Sequence, residues 1–127
     1  MKIERKPNPI QKRAARGFRG YPVASVAYYG PDDQRATKVA VGIVPFEGAE
    51  PIALERWYGE DEDIRRDKEI TDQIIAFIRE HDVRSFALAD RIIGCPHEEG
   101  IDYPDGEECP ECPFWHGRDR FTGKLIH

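Results

Sequence analysis

All three cysteines of the chain fall in one stretch, residues 93–115, which reads IGCPHEEGIDYPDGEECPECPFW. Proline, glycine and acidic residues interrupt it every few positions, so it offers neither the length of a helix nor the alternation of a strand. It also carries little apolar surface to bury. Such a segment holds one shape only when something other than a hydrophobic core fastens it, and the cysteines supply the means. An odd cysteine count, with no apolar block behind the basic N-terminus, argues against a disulfide framework. It argues for reduced thiols and hence for a cytoplasmic location.

Cys109 and Cys112 form a Cys-x₂-Cys pair, whose tight turn brings two sulfurs to one edge of a tetrahedron, the commonest half of a structural zinc site. Cys95 and His97 make the other half. Pro96 holds Cys95 extended, and in an extended chain residues i and i+2 point to the same side. The eleven residues between His97 and Cys109 include Gly100, Pro104 and an Asp105-Gly106 pair, enough turn chemistry for the chain to double back. The sequence therefore predicts one structural zinc ion held by Cys95, His97, Cys109 and Cys112. His116, four residues beyond Cys112, competes with His97 for the last position.

The CPEC run resembles the CPxC knuckles of zinc ribbons, with Pro113 standing where those usually carry glycine. The His97-Glu98-Glu99 and Cys109-x₂-Cys112 pieces also resemble the two halves of zinc deaminases, a likeness that implies Glu99 as proton shuttle beside a metal-bound water. Three features depart from that pattern. Glu108 stands where proline is expected, only nine residues separate Glu99 from Cys109, and Cys95 fills the place the water needs.

Ahead of this segment the hydrophobic period changes twice. VASVAYY (23–29), KVAVGIV (38–44) and IALERWY (52–58) alternate or are rich in β-branched and aromatic residues, and turn-forming loops separate them. They predict an antiparallel three-stranded meander, with Ile52 and Leu54 on one face of the third strand and Trp57 on the other. The acidic run GEDED then opens a helix, with Asp61 and Asp63 as caps and an apolar stripe of Ile70, Ile74, Phe77 and Ile78. SFALAD follows as a fourth strand closing at Asp90. The expected fold is α/β (α+β), similar in element order to the start of the ribonuclease H-like fold, with a zinc-stapled C-terminal region. The expected divisions are a basic arm at 1–22, an α/β core at 23–92 and a zinc-binding segment at 93–127.

Charge is distributed unevenly. Residues 1–20 hold seven basic side chains against Glu4, a net +6, whereas the whole chain is −5, leaving −11 on the remainder. Within the arm, Asn8 as cap, Pro9 in the first turn and Gly17 as terminator predict a short basic helix. A basic arm on an acidic body suggests an anionic partner, nucleic acid being the commonest, or else an arm that lies on the chain's own acidic surface. The residues expected to meet nucleic acid are Lys12, Arg13, Arg16 and Arg19, with Arg118 and Arg120 of the aromatic-basic tail FWHGRDRFTGK.

Phe114 and Trp115 of that tail are also suited to packing the metal loop. No run approaches the roughly 18 apolar residues of a membrane-spanning helix, and no membrane partner is expected. A small zinc-stabilised binding protein is the expected function. A metal-dependent enzyme using Asp90 or Glu99, or an adaptor binding another protein, are the alternatives. No phosphate-binding glycine loop or nucleophile elbow occurs, and VASVAYY lacks the carboxylate a nuclease of this topology needs on its first strand.

Overall fold

The computed structural model describes residues 8–59 and 62–116, the side chains of Ala89 and Asp90 excepted. Alternation in the first two apolar runs produces strands with the expected bounds, β1 (Val23–Tyr29) and β2 (Lys38–Val44). Ala24, Val26 and Tyr28 are buried on β1, as are Val39, Val41 and Ile43 on β2. With β3 (Ala53–Tyr58) and β4 (Ser85–Ile92) they form a four-stranded sheet in the order β3-β2-β1-β4.

Backbone hydrogen bonds fix the strand directions. Ile52 N–H donates to Ile43 O at 2.8 Å and Gly59 N–H to Thr37 O at 2.9 Å, so β3 runs against β2. On the other side, Arg84 N–H donates to Pro22 O, Gly30 N–H to Gly94 O and Ile93 N–H to Tyr28 O. Those partners climb together, so β4 runs parallel to β1. Parallel pairing requires a crossover, and the helix α2 (Lys68–Arg79) lies in that connection. β4 also continues two residues past Asp90, through Arg91 and Ile92, because the pairing with β1 persists to Gly94. The expectation of a strand ending at Asp90 is corrected accordingly.

The edge position of β3 shapes its exposure. Ile52 and Leu54 are 65% and 47% exposed, while Ala53 and Trp57 on the opposite parity are half-buried. The more apolar face of this strand is thus its solvent face.

The chain separates into two compact units, Met1–Val26, Val41–Glu55 and Arg65–Leu88 making one, and Ala27–Ala40, Arg56–Ile64 and Ala89–His127 the other. The first has an aliphatic interior of Ile10, Ala24, Val26, Val41, Ile43, Ile74, Ile75 and Ile78. Burying each large side chain of this kind contributes about 1.5–3 kcal/mol. Ile10 comes from α1 (Pro9–Ala14), which begins in the predicted way: Asn8 Oδ1 accepts from Gln11 N–H at 2.8 Å while Gln11 Oε1 accepts from Asn8 N–H at 2.7 Å, a reciprocal cap.

Two details of α2 differ from expectation. Its cap is Asp67, which accepts from Ile70 N–H, and not Asp61 or Asp63. Asp61 lies outside the described residues, and Asp63 accepts from Ala36 N–H at 3.2 Å. Between Asp63 and Asp67, Ile64–Arg66 forms a 3₁₀ turn whose Ile64 is buried, and this turn delays the helix. The buried stripe is Thr71, Ile74, Ile75 and Ile78, while Ile70 and Phe77 are half-exposed. A later start does not itself rotate a helix; the stripe is centred on the line from Ile74 to Ile78, with Thr71 and Ile75 flanking it at helical spacing.

The second unit carries the segment singled out from the sequence. Tyr103, Cys109 and Cys112 are its buried cluster, with Cys95 and Trp115 packed against them. That is a small apolar core for so long a loop.

Candidate metal centre

Three local devices bring the ligand side chains together. Glu98 N–H donates to the Asp102 carboxylate at 2.7 Å while Asp102 N–H donates to Glu98 O at 2.8 Å, which closes a turn just after His97. Gly100, at φ 82°, then lets its N–H reach Tyr103 O at 2.8 Å and returns the chain. Finally, Pro113–Trp115 forms a 3₁₀ turn after Cys112, and the Trp115 indole N–H donates to Gly30 O at 2.8 Å. Gly30 is itself constrained, since a Cβ there would overlap the Arg35 carbonyl.

The result is a four-residue cluster. One ligand atom from each of Cys95, His97, Cys109 and Cys112 lies within 4.8 Å of all the others. His97 Nδ1 is 3.2 Å from Cys95 Sγ, 3.3 Å from Cys109 Sγ and 3.5 Å from Cys112 Sγ. A tetrahedral ion with sulfur bonds of about 2.3 Å and a nitrogen bond of about 2.0 Å sets sulfur–nitrogen edges at about 3.5 Å. The observed edges approach that from below, so these four residues are close enough to hold one metal ion.

The surroundings suit the same assignment. With Nδ1 facing the sulfurs, the other imidazole nitrogen, Nε2, lies 3.2 Å from the Glu111 carboxylate. A neutral imidazole then presents a lone pair at Nδ1 and donates its proton to Glu111, the usual support for a metal-bound histidine. His97 N–H donates to Cys95 Sγ at 3.2 Å, which disperses thiolate charge. Without a metal, burial pushes the Cys112 thiol well above its ordinary value, and the neighbouring sulfurs of Cys95 and Cys109 add to it. Burial likewise pushes the Cys95 thiol up. The Cys95 and Cys112 thiols, held partly out of water, resist ionisation unless a cation replaces their protons.

The other candidates are placed as follows. His116 is not in the cluster, because its Nε2 bonds to Cys109 O at 2.6 Å and so steadies the knuckle from outside. Glu99 is exposed, and its carboxylate accepts from Gly106 N–H at 3.2 Å within the returning loop. The side chain of Asp90, together with Arg118 and Arg120, lies outside the described residues. Lys12, Arg16 and Arg19 are exposed, and the Arg13 guanidinium sits over the Phe86 ring at 5.6 Å.

One contributor was not anticipated. Lys38 is 3% exposed, and its ammonium donates to Pro96 O at 3.0 Å, between Cys95 and His97 of the cluster. It lies 5.4 Å and 5.8 Å from the centres of the Tyr29 and Tyr58 rings, within cation–π range, and 3.7 Å from the Glu98 carboxylate. The Arg56 guanidinium donates to the same carboxylate at 2.9 Å. A lysine opening an otherwise apolar strand was the available signal, but the Pro96 carbonyl that it meets is 58 residues distant in sequence.

Comparison with protein-family models, curated proteins and solved structures yields no significant match. The functional reading therefore rests on the geometry of the chain itself.

Proposed function

We propose that the protein is a small zinc-stabilised binding protein, with zinc as a purely structural ion and single-stranded nucleic acid as the partner of its basic arm. The convergence of Cys95, His97, Cys109 and Cys112 carries the first half of this reading. Three sulfurs and one nitrogen at tetrahedral spacing suit zinc, and four protein ligands leave no position for a reactive water. Three thiols kept reduced for a metal accord with a cytoplasmic protein.

The divisions that fit this reading are an arm at 1–22, an α/β core at 23–92 and a metal-binding segment at 93–127. The strand order β3-β2-β1-β4, with β4 parallel to β1, supports kinship in topology with the start of the ribonuclease H-like fold. β1 carries no carboxylate, which favours a scaffold used for binding over one used for cleavage. Among the described residues no helix is long and apolar enough to cross a membrane.

The test is fluorescence anisotropy of the full, metal-loaded chain with a labelled single-stranded oligonucleotide. Binding at low salt that weakens steeply as salt rises is the expected result. No binding at low salt removes nucleic acid from the reading and leaves the protein adaptor in its place.

A further inference from the structure

The arm and the β4 region together enclose a recess of about 170 Å³ lined by Arg13, Arg16, Gly17, Arg19, Val83, Arg84 and Phe86. Four of those seven residues are arginines and none is acidic. Among the described residues none of the four guanidiniums has a carboxylate partner, although the chain has 24 acidic residues to draw on. Gathering four like charges around one hollow costs stability through self-repulsion, and among the described residues no ion pair offsets it. An external anion would.

The backbone is shaped to make this recess. A bond from Arg16 N–H to Arg13 O, 3.2 Å, carries the chain one turn past α1, which keeps Arg13 and Arg16 on one side. Gly17, at φ 81°, reverses the chain and Gly20, at φ 105°, turns it again beside the Arg84 side chain. Arg19 N–H donates to Ser85 Oγ at 2.6 Å, and Ser85 Oγ–H donates to Gly20 O at 2.7 Å, fastening the turn next to Arg84. The Arg13 guanidinium sits over the Phe86 ring, its central carbon 5.6 Å from the ring centre, within cation–π range.

We infer that Arg13, Arg16, Arg19 and Arg84 form a seat for one phosphoryl group, supplied by the backbone of a single-stranded nucleic acid. The volume is below the roughly 300–1,000 Å³ of a small-molecule pocket, which matches a phosphoryl group better than a whole nucleotide. Planar guanidiniums recognise phosphate oxygens through paired N–H donors. Phe18, 69% exposed on the same arm with Tyr21 edge-on at 5.3 Å, is placed for an adjoining base to stack. The choice of nucleic acid over free phosphate rests on the function proposed above, and Arg84 brings to it a residue from outside the arm.

The experiment separates the seat from that wider reading. Oligonucleotide affinity and its salt dependence are measured for the full chain, for Arg84→Gln and for Arg35→Gln, which removes an exposed charge outside both the arm and the recess. The seat predicts that Arg84→Gln weakens binding about tenfold and lowers the salt slope by about 0.7, with Arg35→Gln changing affinity less than about twofold. Equal losses in the two variants, or none for Arg84→Gln, overturn the seat while nucleic-acid binding stands. If the full chain binds no oligonucleotide, inorganic phosphate is titrated and followed by phosphorus NMR. Saturable binding lost in Arg84→Gln keeps the seat and removes nucleic acid as its source, whereas no phosphate binding overturns the seat.

Discussion

The first unit and the segment from Ile93 to His116 solve the same problem with different means. The first lines its interior with isoleucines and valines at strand and helix periods, and needs nothing beyond the chain. The second buries one tyrosine and two cysteines, with Cys95 and Trp115 at their side. Its turns are closed by a few hydrogen bonds, each contributing about 1 kcal/mol, too little to offset the backbone entropy of so many loop residues. The difference teaches that a sulfur and imidazole cluster can stand in for a core, provided the metal is present.

Chelation is the sharpest way to break the comparison. Removing the metal costs on the order of 10 kcal/mol of binding energy, and amide exchange is expected to collapse across residues 93–116 while α2 keeps its protection. Uniform loss of protection throughout would show that the two regions stand or fall together. Acidity acts in opposite directions on the two states. In the metal-free chain the thiols of Cys95 and Cys112 are raised above the ordinary 9.0, so their stabilising effect is full below that value. It is lost as pH rises past it, because the unfolded chain ionises first. The metal-loaded chain reverses the sign, since thiolates are the ligands, and sheds its metal as pH falls.

Ile74→Ala attacks the other region. It leaves a cavity in an aliphatic interior and is expected to cost about 2–5 kcal/mol, read in chemical denaturation, with one metal per chain retained in the folded protein. Glu111→Gln is milder. It keeps the shape but weakens the acceptor for His97 Nε2, so metal affinity in a competing-chelator titration should fall about tenfold with no loss of fold. Smallest is Asn8→Ala, which removes the reciprocal cap of α1 and its side-chain bond to Arg65 O. It should cost about 1 kcal/mol and leave the metal untouched.

Legibility in the sequence followed the same division. β1 and β2 were readable to the residue because alternation is a local signal, and so was the cap of α1. The start of α2 was not, because Asp61, Asp63 and Asp67 are equally good caps by type. Only the distant Ala36 N–H, which engages Asp63, and the burial of Ile64 distinguish them. The clustering of Cys95, His97, Cys109 and Cys112 was readable from their spacing. Spacing left His97 and His116 as rivals, however, and what separates them in the fold is the bond from His116 to Cys109 O. Lys38 beneath Pro96 and Arg84 beside the arm join residues far apart in the chain, and no local pattern announces such contacts.

The central claim is that Cys95, His97, Cys109 and Cys112 close a complete shell around one structural zinc ion. X-ray absorption at the zinc edge of the purified full chain, with metal stoichiometry measured alongside, tests it most directly. The account predicts one zinc per chain with three sulfurs at about 2.3 Å and one nitrogen at about 2.0 Å, a shell lost in His97→Ala and kept in His116→Ala. Absence of stoichiometric metal, or a shell containing a water oxygen in place of one of these ligands, would contradict it.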